Sequence, residues 1–118
     1  MKKEYRIKKT NEIASLMKKK QSVGNMYFVI YYQKNHDQKH FRFAISVSKK
    51  YGNAVERNLL KRRVREIVRQ CAIKEDVDFF VIAKKKAKSL KFYDMNKQIN
   101  HLLKKAKILK DGMYEKQK

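Results

Sequence analysis

The segment from residue 46 to residue 72 constrains the fold of this chain more than any other part of the sequence. It begins with the alternation of small and apolar residues that is typical of a strand, reaches Gly52, and continues with helical periodicity. Asn53 is a favourable N-cap residue, and Glu56 three positions later completes a capping-box pattern. The segment therefore predicts a strand that turns directly into a long helix.

Two faces of this predicted helix differ in chemistry. At about 100° per residue, one stripe is apolar and can pack against a sheet; it contains Leu60, Val64, Ile67, Val68 and Cys71. An adjacent face repeats basic residues at i+4, flanked by Asn58 and Arg62; it contains Arg57, Lys61, Arg65 and Arg69. Like charges at this spacing repel each other and destabilise a helix. A solvated face is the alternative, but a bound polyanion explains the repeated charge better, and Asn58 adds a donor and an acceptor for a base or sugar.

The charge of the whole chain also indicates a nucleic-acid partner. The 118 residues include 32 Lys and Arg against 11 Asp and Glu, which gives a net charge of +21. Such self-repulsion destabilises a compact state unless phosphates neutralise it, so we expect the free protein to gain order when sulfate or phosphate is added. No apolar run approaches the roughly 18 residues of a membrane span, and no apolar segment follows the basic start of the chain. Neither a membrane partner nor export is predicted.

Neither the cysteine nor the histidines indicate a metal site. Cys71 lies on the apolar stripe, and a single cysteine excludes an internal disulfide and fits a reducing cytoplasm. His36, His40 and His101 do not show the spacing of metal ligands. We therefore expect a cytoplasmic protein that binds no metal or other cofactor by itself.

The rest of the sequence predicts a small sheet and two further helices. Aromatic and β-branched residues indicate three strands, of which the first two are expected to pair as an antiparallel hairpin and the third to be buried on both faces. The turn between the first helix and the first strand is predicted at Gly24-Asn25. The predicted elements are a basic extension (1–9), a helix from Thr10 or Asn11 to about Lys20, strands at 26–33 and 41–47, the central helix, a strand at 79–83, a helix at 93–109 and a frayed tail (110–118). The order α-β-β-α-β-α over residues 1–118 predicts one α+β sandwich domain.

Residues 46–58 read Ser-Val-Ser-Lys-Lys-Tyr-Gly-Asn-Ala-Val-Glu-Arg-Asn and are followed by Lys61-Arg62 and Arg65-Glu66. This pattern resembles the signature of the bacterial ribonuclease P protein subunit. The similarity extends to residues 5–13, to Ser-Val-Gly-Asn at 22–25 and to the third strand, so it spans nearly the whole chain.

The resemblance implies an α+β fold with a left-handed β-α-β crossover, the fold type of the second domain of ribosomal protein S5, although about 98% of such crossovers are right-handed. It implies no catalytic residue in the protein, because the RNA subunit of this family holds magnesium ions and removes the 5′ leader of precursor tRNA. The implied partners are ribonuclease P RNA and precursor tRNA, with no membrane and no obligate protein partner.

The resemblance also implies a surface for the catalytic RNA. The Arg-Asn-Arg motif of the family falls on Arg57, Asn58 and position 59, where this chain has leucine. Either the third cationic contact is lost, or Arg62 or Arg63 supplies it from the next turn. The residues implied to bind the catalytic RNA are Arg57, Asn58, Lys61, Arg62 and Arg65.

A second implied surface is a groove for the 5′ leader, between the central helix and a sheet face. The family's groove aromatics align with Ile13, Met17 and Tyr31, of which only Tyr31 keeps a ring, and Ile13 and Met17 are equally consistent with a core position. The implied groove residues are Ile13, Met17, Tyr31, Ser46, Ser48, Lys49 and Lys50. Secondary phosphate contacts are implied at Lys84, Lys85 and Lys86, with a solvated loop as the alternative.

Two other functions remain open at this stage. A general basic RNA-binding or ribosome-associated protein without a substrate role explains the charge and the aromatic residues, but not the signature at 46–65. A protein-only nuclease requires clustered carboxylates or histidines, whereas the acidic residues here are scattered along the sequence.

Overall fold

The computed structural model describes residues 5–7, 10–18, 21–35 and 39–110. Its helices and strands are α1 (Thr10–Lys18), β1 (Ser22–Gly24), β2 (Phe28–Lys34), β3 (Arg42–Val47), α2 (Ala54–Gln70), β4 (Val77–Ala83) and α3 (Phe92–Lys105). Short 3-10 helices at Lys49–Tyr51 and Lys85–Ser89 precede α2 and α3. The predicted α+β class and the order of its six elements are confirmed, and β1 is an additional strand that the sequence did not predict.

The four strands form one mixed sheet in the order β1-β2-β4-β3. β2 pairs antiparallel with β4, from Phe28 opposite Ala83 to Lys34 opposite Val77, and β3 pairs parallel with β4. The predicted hairpin of β2 with β3 is therefore wrong, because β4 lies between them. β4 is apolar on both faces, and such a strand is most stable where neither face meets solvent. The β3–α2–β4 connection joins parallel neighbours, and its handedness stays a prediction.

α2 begins where the sequence predicted, and its cap geometry shows why. The Asn53 side-chain oxygen accepts from the Glu56 N–H at 2.8 Å, while the Glu56 carboxylate accepts from the Asn53 N–H at 3.0 Å. A Cβ at Gly52 would lie 2.5 Å from this carboxylate, so any larger residue there would displace the cap. The predicted apolar stripe is confirmed, with Leu60, Val64, Ile67 and Val68 buried and Cys71 partly buried.

The main core lies between one face of the sheet and the helices α2 and α3. The sheet contributes alternate residues, including Phe28, Phe43 and Phe79, and the Phe43 and Phe79 rings stack with centroids 5.3 Å apart. The predicted stripe of α3 is confirmed, since it buries Met95, Ile99, Leu102, Leu103 and Ala106. Burial raises the pKa of the Cys71 thiol to about 11, which keeps this side chain neutral within the core.

α3 ends earlier than the sequence predicted because a Schellman motif closes it. The N–H of Lys107 donates to the Lys104 carbonyl at 3.0 Å, and the N–H of Ile108 donates to the Leu103 carbonyl at 3.3 Å. Leu109 then forms a bridge with Ile73. In the predicted tail, the N–H of Lys110 donates to the Ala72 carbonyl at 2.8 Å, and residues 111–118 lie outside the described residues.

An ion cluster attaches α1 to the sheet. Asp78 is 3% exposed and accepts from Arg42 through Nε at 3.2 Å and Nη2 at 3.0 Å. Arg42 Nη2 also donates to Glu12 of α1 at 2.7 Å. The hydrogen bonds that Arg42 donates, first to Asp78 and then to Glu12, raise the pKa of Arg42 despite its partial burial. One guanidinium therefore links α1, β3 and β4.

We expect Asp78→Ala to lower the free energy of unfolding by about 2–4 kcal/mol, because it removes the buried partner of Arg42. Glu12→Gln is the matched control: its carboxylate is 32% exposed, so we expect a loss of at most about 1 kcal/mol. Urea denaturation measures both values. Equal losses in the two variants would contradict a buried anchor at Asp78.

Candidate nucleic-acid interface

The outer face of α2 carries four cations that have no acidic partner among the described residues. Arg57, Lys61 and Arg65 are half-buried and Arg62 is exposed, and none of them forms an ion pair in the part of the chain that the structure describes. Arg69 differs, because its guanidinium donates to Glu66 at 2.5 and 3.1 Å. The predicted basic row runs from Arg57 to Arg69. Among the described residues, only its part up to Arg65 is free of ion pairs.

Arg65 lies in an unfavourable environment for a cation. Burial, and then the charge of Arg6, lower the pKa of Arg65. Arg6 is held nearby because its segment bridges to Phe43 at the outer edge of β3. An anion between the two guanidinium groups would offset both the repulsion and the lost hydration. Arg65 and Arg6 are therefore candidates for a shared phosphate contact.

Leu59 stands on the exposed surface of α2, where the resemblance implies an arginine. It is 43% exposed, and Val55 one turn earlier is 77% exposed. Of the two possible substitutes, Arg62 is exposed. Arg63 is half-buried and lies close enough to Tyr51 for its charge to oppose the rise that burial causes in the pKa of this tyrosine. Arg62 is therefore the cation better placed to contact an external anion beside Leu59.

The opposite face of the sheet carries a smaller apolar cluster that α1 partly covers. Leu16 and Phe80 are buried in it, and Ile13 and Tyr31 pack against them. Tyr31 pairs with Phe80 across β2 and β4. Two residues beyond Phe80 on β4, and on the same face, Ile82 lies opposite Ser46 of β3. Ser46 is exposed. The structure therefore brings Ile13, Tyr31 and Ser46 to one face of the sheet. α2 packs on the other face, so the predicted position of these groove residues between the central helix and the sheet is wrong, and α1 borders them instead.

The remaining predicted groove residues differ in exposure. Met17, one turn beyond Ile13 on α1, is 41% exposed, whereas Ile13 is a packing residue at the edge of the cluster. The Ser48 hydroxyl accepts from the N–H of Lys50 at 3.2 Å, so Ser48 caps the short helix that leads to α2. Lys49 and Lys50 in that helix are exposed.

A lysine-lined cavity lies where β4 ends. It has a volume of about 510 Å³ and is lined by residues that include Lys50, Lys85, Lys86, Lys88, Met26 and Tyr27. Lys84 does not line it, because its ammonium donates to the Asn25 carbonyl at 2.7 Å. Sequence reasoning missed Lys88, although it lies in the same lysine-rich run, and missed Met26 and Tyr27, which approach from a distant turn.

The described residues show neither a metal centre nor a membrane span. No group of three or more His, Cys, Asp or Glu side chains that could hold a metal ion occurs among them. No helix of the described part is long and apolar enough to cross a bilayer. Of the three histidines, His36 lies outside the described residues, and His40 Nδ1 is 2.9 Å from the Phe41 carbonyl oxygen.

Known proteins share both the sequence and this architecture. A family model described as Ribonuclease P matches residues 1–107. The ribonuclease P protein component of Streptococcus pneumoniae is 43% identical over 114 residues, which cover 95% of this chain and 92% of the relative. The RNase P protein of Staphylococcus aureus superposes with a TM-score of 0.82 at 42% identity, covering 90% of this chain and 98% of that one. The protein from Thermotoga maritima gives a TM-score of 0.76 at 33% identity, covering 85% and 96%.

We expect Arg65→Gln to raise the free energy of unfolding at low salt by up to about 1 kcal/mol, because it removes the repulsion from Arg6. The added stability in phosphate buffer should be smaller for this variant than for the unmodified chain. Arg69→Gln is the matched control, since that charge is already paired with Glu66. Thermal unfolding at several phosphate concentrations measures the effect. An identical phosphate response in all three proteins would contradict an anion site at Arg65.

Proposed function

The chain belongs to the ribonuclease P protein family, and we propose that it binds both the catalytic RNA and the 5′ leader of precursor tRNA. As a ribonuclease P protein component it is part of an endoribonuclease complex that processes tRNA. The observation that carries the proposal is a row of cations on α2 within the family signature that form no ion pair with any residue the structure describes: Arg57, Lys61, Arg62 and Arg65. A ribosome-associated role without a tRNA substrate would leave that signature unexplained.

The face of α2 would contact the catalytic RNA. Arginine suits this surface because its planar guanidinium can bind phosphate oxygens in pairs and stack on bases. Asn58, which is exposed between these cations, would add a contact to a base or sugar. The exposure of Arg62 supports it as the substitute for the missing arginine, and the adjacent Leu59 would add apolar contact.

The opposite sheet face would hold the leader. A leader of variable sequence must be bound without base-specific contacts. An aromatic ring meets this requirement because any base can stack on it. Tyr31 would provide that ring, beside the apolar surface of Ile13 and Met17. Ser46, Ser48, Lys49 and Lys50 would form the polar border of this groove.

The lysine-lined cavity at the end of β4 would extend the leader site. Lys50 is a residue of the proposed groove border and also lines this cavity, so it would connect the two surfaces. Lys85 and Lys86 would bind phosphates there, and Lys88 would join them although it also lies 3.0 Å from a Glu56 carboxylate oxygen. Lys84 would act indirectly, by holding the turn at Asn25.

Cleavage itself would belong to the RNA subunit together with its magnesium ions. The acidic groups nearest these surfaces support this division, because several of them already neutralise cations of the protein: Glu12 and Asp78 pair with Arg42, Glu56 with Lys88, and Glu66 with Arg69. The protein would supply positive charge and leader contacts, and its free thiol at Cys71 would fit a reducing cytoplasm.

The deciding experiment measures cleavage of precursor tRNA at low magnesium with catalytic RNA alone, protein alone and both together. We expect efficient cleavage only in the mixture. Tyr31→Ala should lower kcat/KM by about fivefold to 100-fold for substrates with a leader of several nucleotides, since stacking contributes about 1–3 kcal/mol per base. Substrates with a one-nucleotide leader should change little.

Tyr93→Ala is the matched control, because this tyrosine is 70% exposed on α3 and lies outside the proposed groove. No stimulation of the RNA by the protein would refute the proposed function. An equal loss for long and short leaders would instead refute the role of Tyr31.

A second experiment tests the substitute for the missing arginine. We expect Arg62→Gln to weaken binding of the catalytic RNA about fivefold. The slope of log K against log salt concentration should become shallower by the amount that corresponds to about one lost phosphate contact. Adding Leu59→Arg to this variant should restore binding, because it returns a cation to the same surface. Arg69→Gln, already paired with Glu66, should leave the affinity nearly unchanged. Filter binding over a series of salt concentrations measures these values, and an unaffected Arg62→Gln would mean that the third contact is absent.

A further inference from the structure

A second cavity, of about 620 Å³, lies on the face of the sheet opposite the proposed leader groove. Tyr32 lines it, and this side chain packs against the main core, whereas the neighbouring Tyr31 packs on the other face. Val77 and Ile108 add apolar surface. The residues that line this cavity belong neither to the basic surface of α2 nor to the proposed leader groove. A ligand bound here would therefore be distinct from the ligands of those two surfaces.

Three lysines from three different segments surround this cavity: Lys34 ends β2, Lys74 precedes β4, and Lys107 follows α3. None of them forms an ion pair in the part of the chain that the structure describes. The acidic Glu75 nearby is paired with Lys110 instead. Three cations of this kind repel one another, and a bound anion would remove that repulsion.

The backbone at Lys107 provides an independent observation. Its φ of 61° lies in the left-handed region, and glycine is the usual residue at this position of a Schellman motif. A strained conformation that persists is a reason to look for a function of the side chain. Attraction to the negative end of the α3 dipole would account for a lysine here, but not for Lys34 or Lys74, which lie on other segments.

We propose that this cavity binds one nucleotide of a single-stranded RNA. The three lysines would bind its phosphate, and its base would lie against the Tyr32 ring. The amides of Gln21 and Gln33, which also line the cavity, can donate to and accept from base edges. The volume falls within the range of about 300–1,000 Å³ that is common for small-ligand sites. The protein would then hold RNA on both faces of its sheet, which goes beyond the function proposed above.

The test is an NMR titration of the isotope-labelled full chain with adenosine monophosphate, inorganic phosphate and a uridine pentanucleotide at matched ionic strength. We expect saturable shifts of the Lys74, Lys107 and Ile108 amides. Adenosine monophosphate should bind at least about fivefold more tightly than phosphate, because its base can stack, and the pentanucleotide should displace it. Equal affinity for phosphate and the nucleotide, or failure of the pentanucleotide to displace it, would overturn the assignment.

Lys107→Gly is the most informative variant, because it removes the cation and also relieves the left-handed backbone. We expect this variant to melt at the same temperature or higher, while its affinity for the nucleotide falls about fivefold, so that unfolding cannot explain the loss. Lys105→Gln removes one charge from the last turn of α3 outside the cavity and is the matched control. Equal weakening by both variants, or shifts confined to the Tyr31 face, would overturn the proposal.

The result of this test can be distinguished from the result of the cleavage experiment on the proposed function. Lys107→Gly should leave the leader-dependent difference in precursor cleavage unchanged, because that difference is assigned to the opposite face of the sheet. Loss of nucleotide binding with an unchanged leader effect would support the cavity as a separate site, whereas loss of the leader effect would overturn its independence.

Discussion

The position of β4 at the centre of the sheet is the constraint on which the rest of the structure depends. Six of its seven residues are buried, and a strand that is apolar on both faces needs a neighbour on each edge and cover on each face. β2 and β3 supply the edges. Because β3 runs parallel to β4, the chain must cross over the sheet between them, and α2 is that connection.

This arrangement determines the direction in which the basic side chains of α2 point. The apolar stripe from Leu60 to Val68 packs on the sheet, so the charges on the adjacent face must remain at the surface. Their mutual repulsion costs stability that core burial offsets in the free protein and that phosphates would offset further. Burial and the charge of Arg6 lower the pKa of Arg65, and a bound phosphate would offset both effects.

The pleat of β2 places the two proposed binding surfaces on opposite faces of the sheet. Tyr31 lies with the α1 cluster and Tyr32 with the main core, since successive side chains of a strand point to opposite faces. Arg42 holds α1 against the Tyr31 face through Glu12 and Asp78. The short 3-10 helices, by contrast, gather lysines from separate segments at the end of β4.

The sequence by itself determined the features that depend on residues within about one helical turn of one another: the capping box of α2, its apolar stripe, its basic row, and the buried character of β4. It also identified the family through the segment at 46–58. Only the tertiary structure decided that β4 separates β2 from β3, that a three-residue β1 forms, that Lys84 binds a carbonyl while Lys85 and Lys86 line a cavity, and that Lys34, Lys74 and Lys107 line another. The physical reason is that strand pairing and the meeting of distant segments are set by long-range burial, which local spacing does not encode.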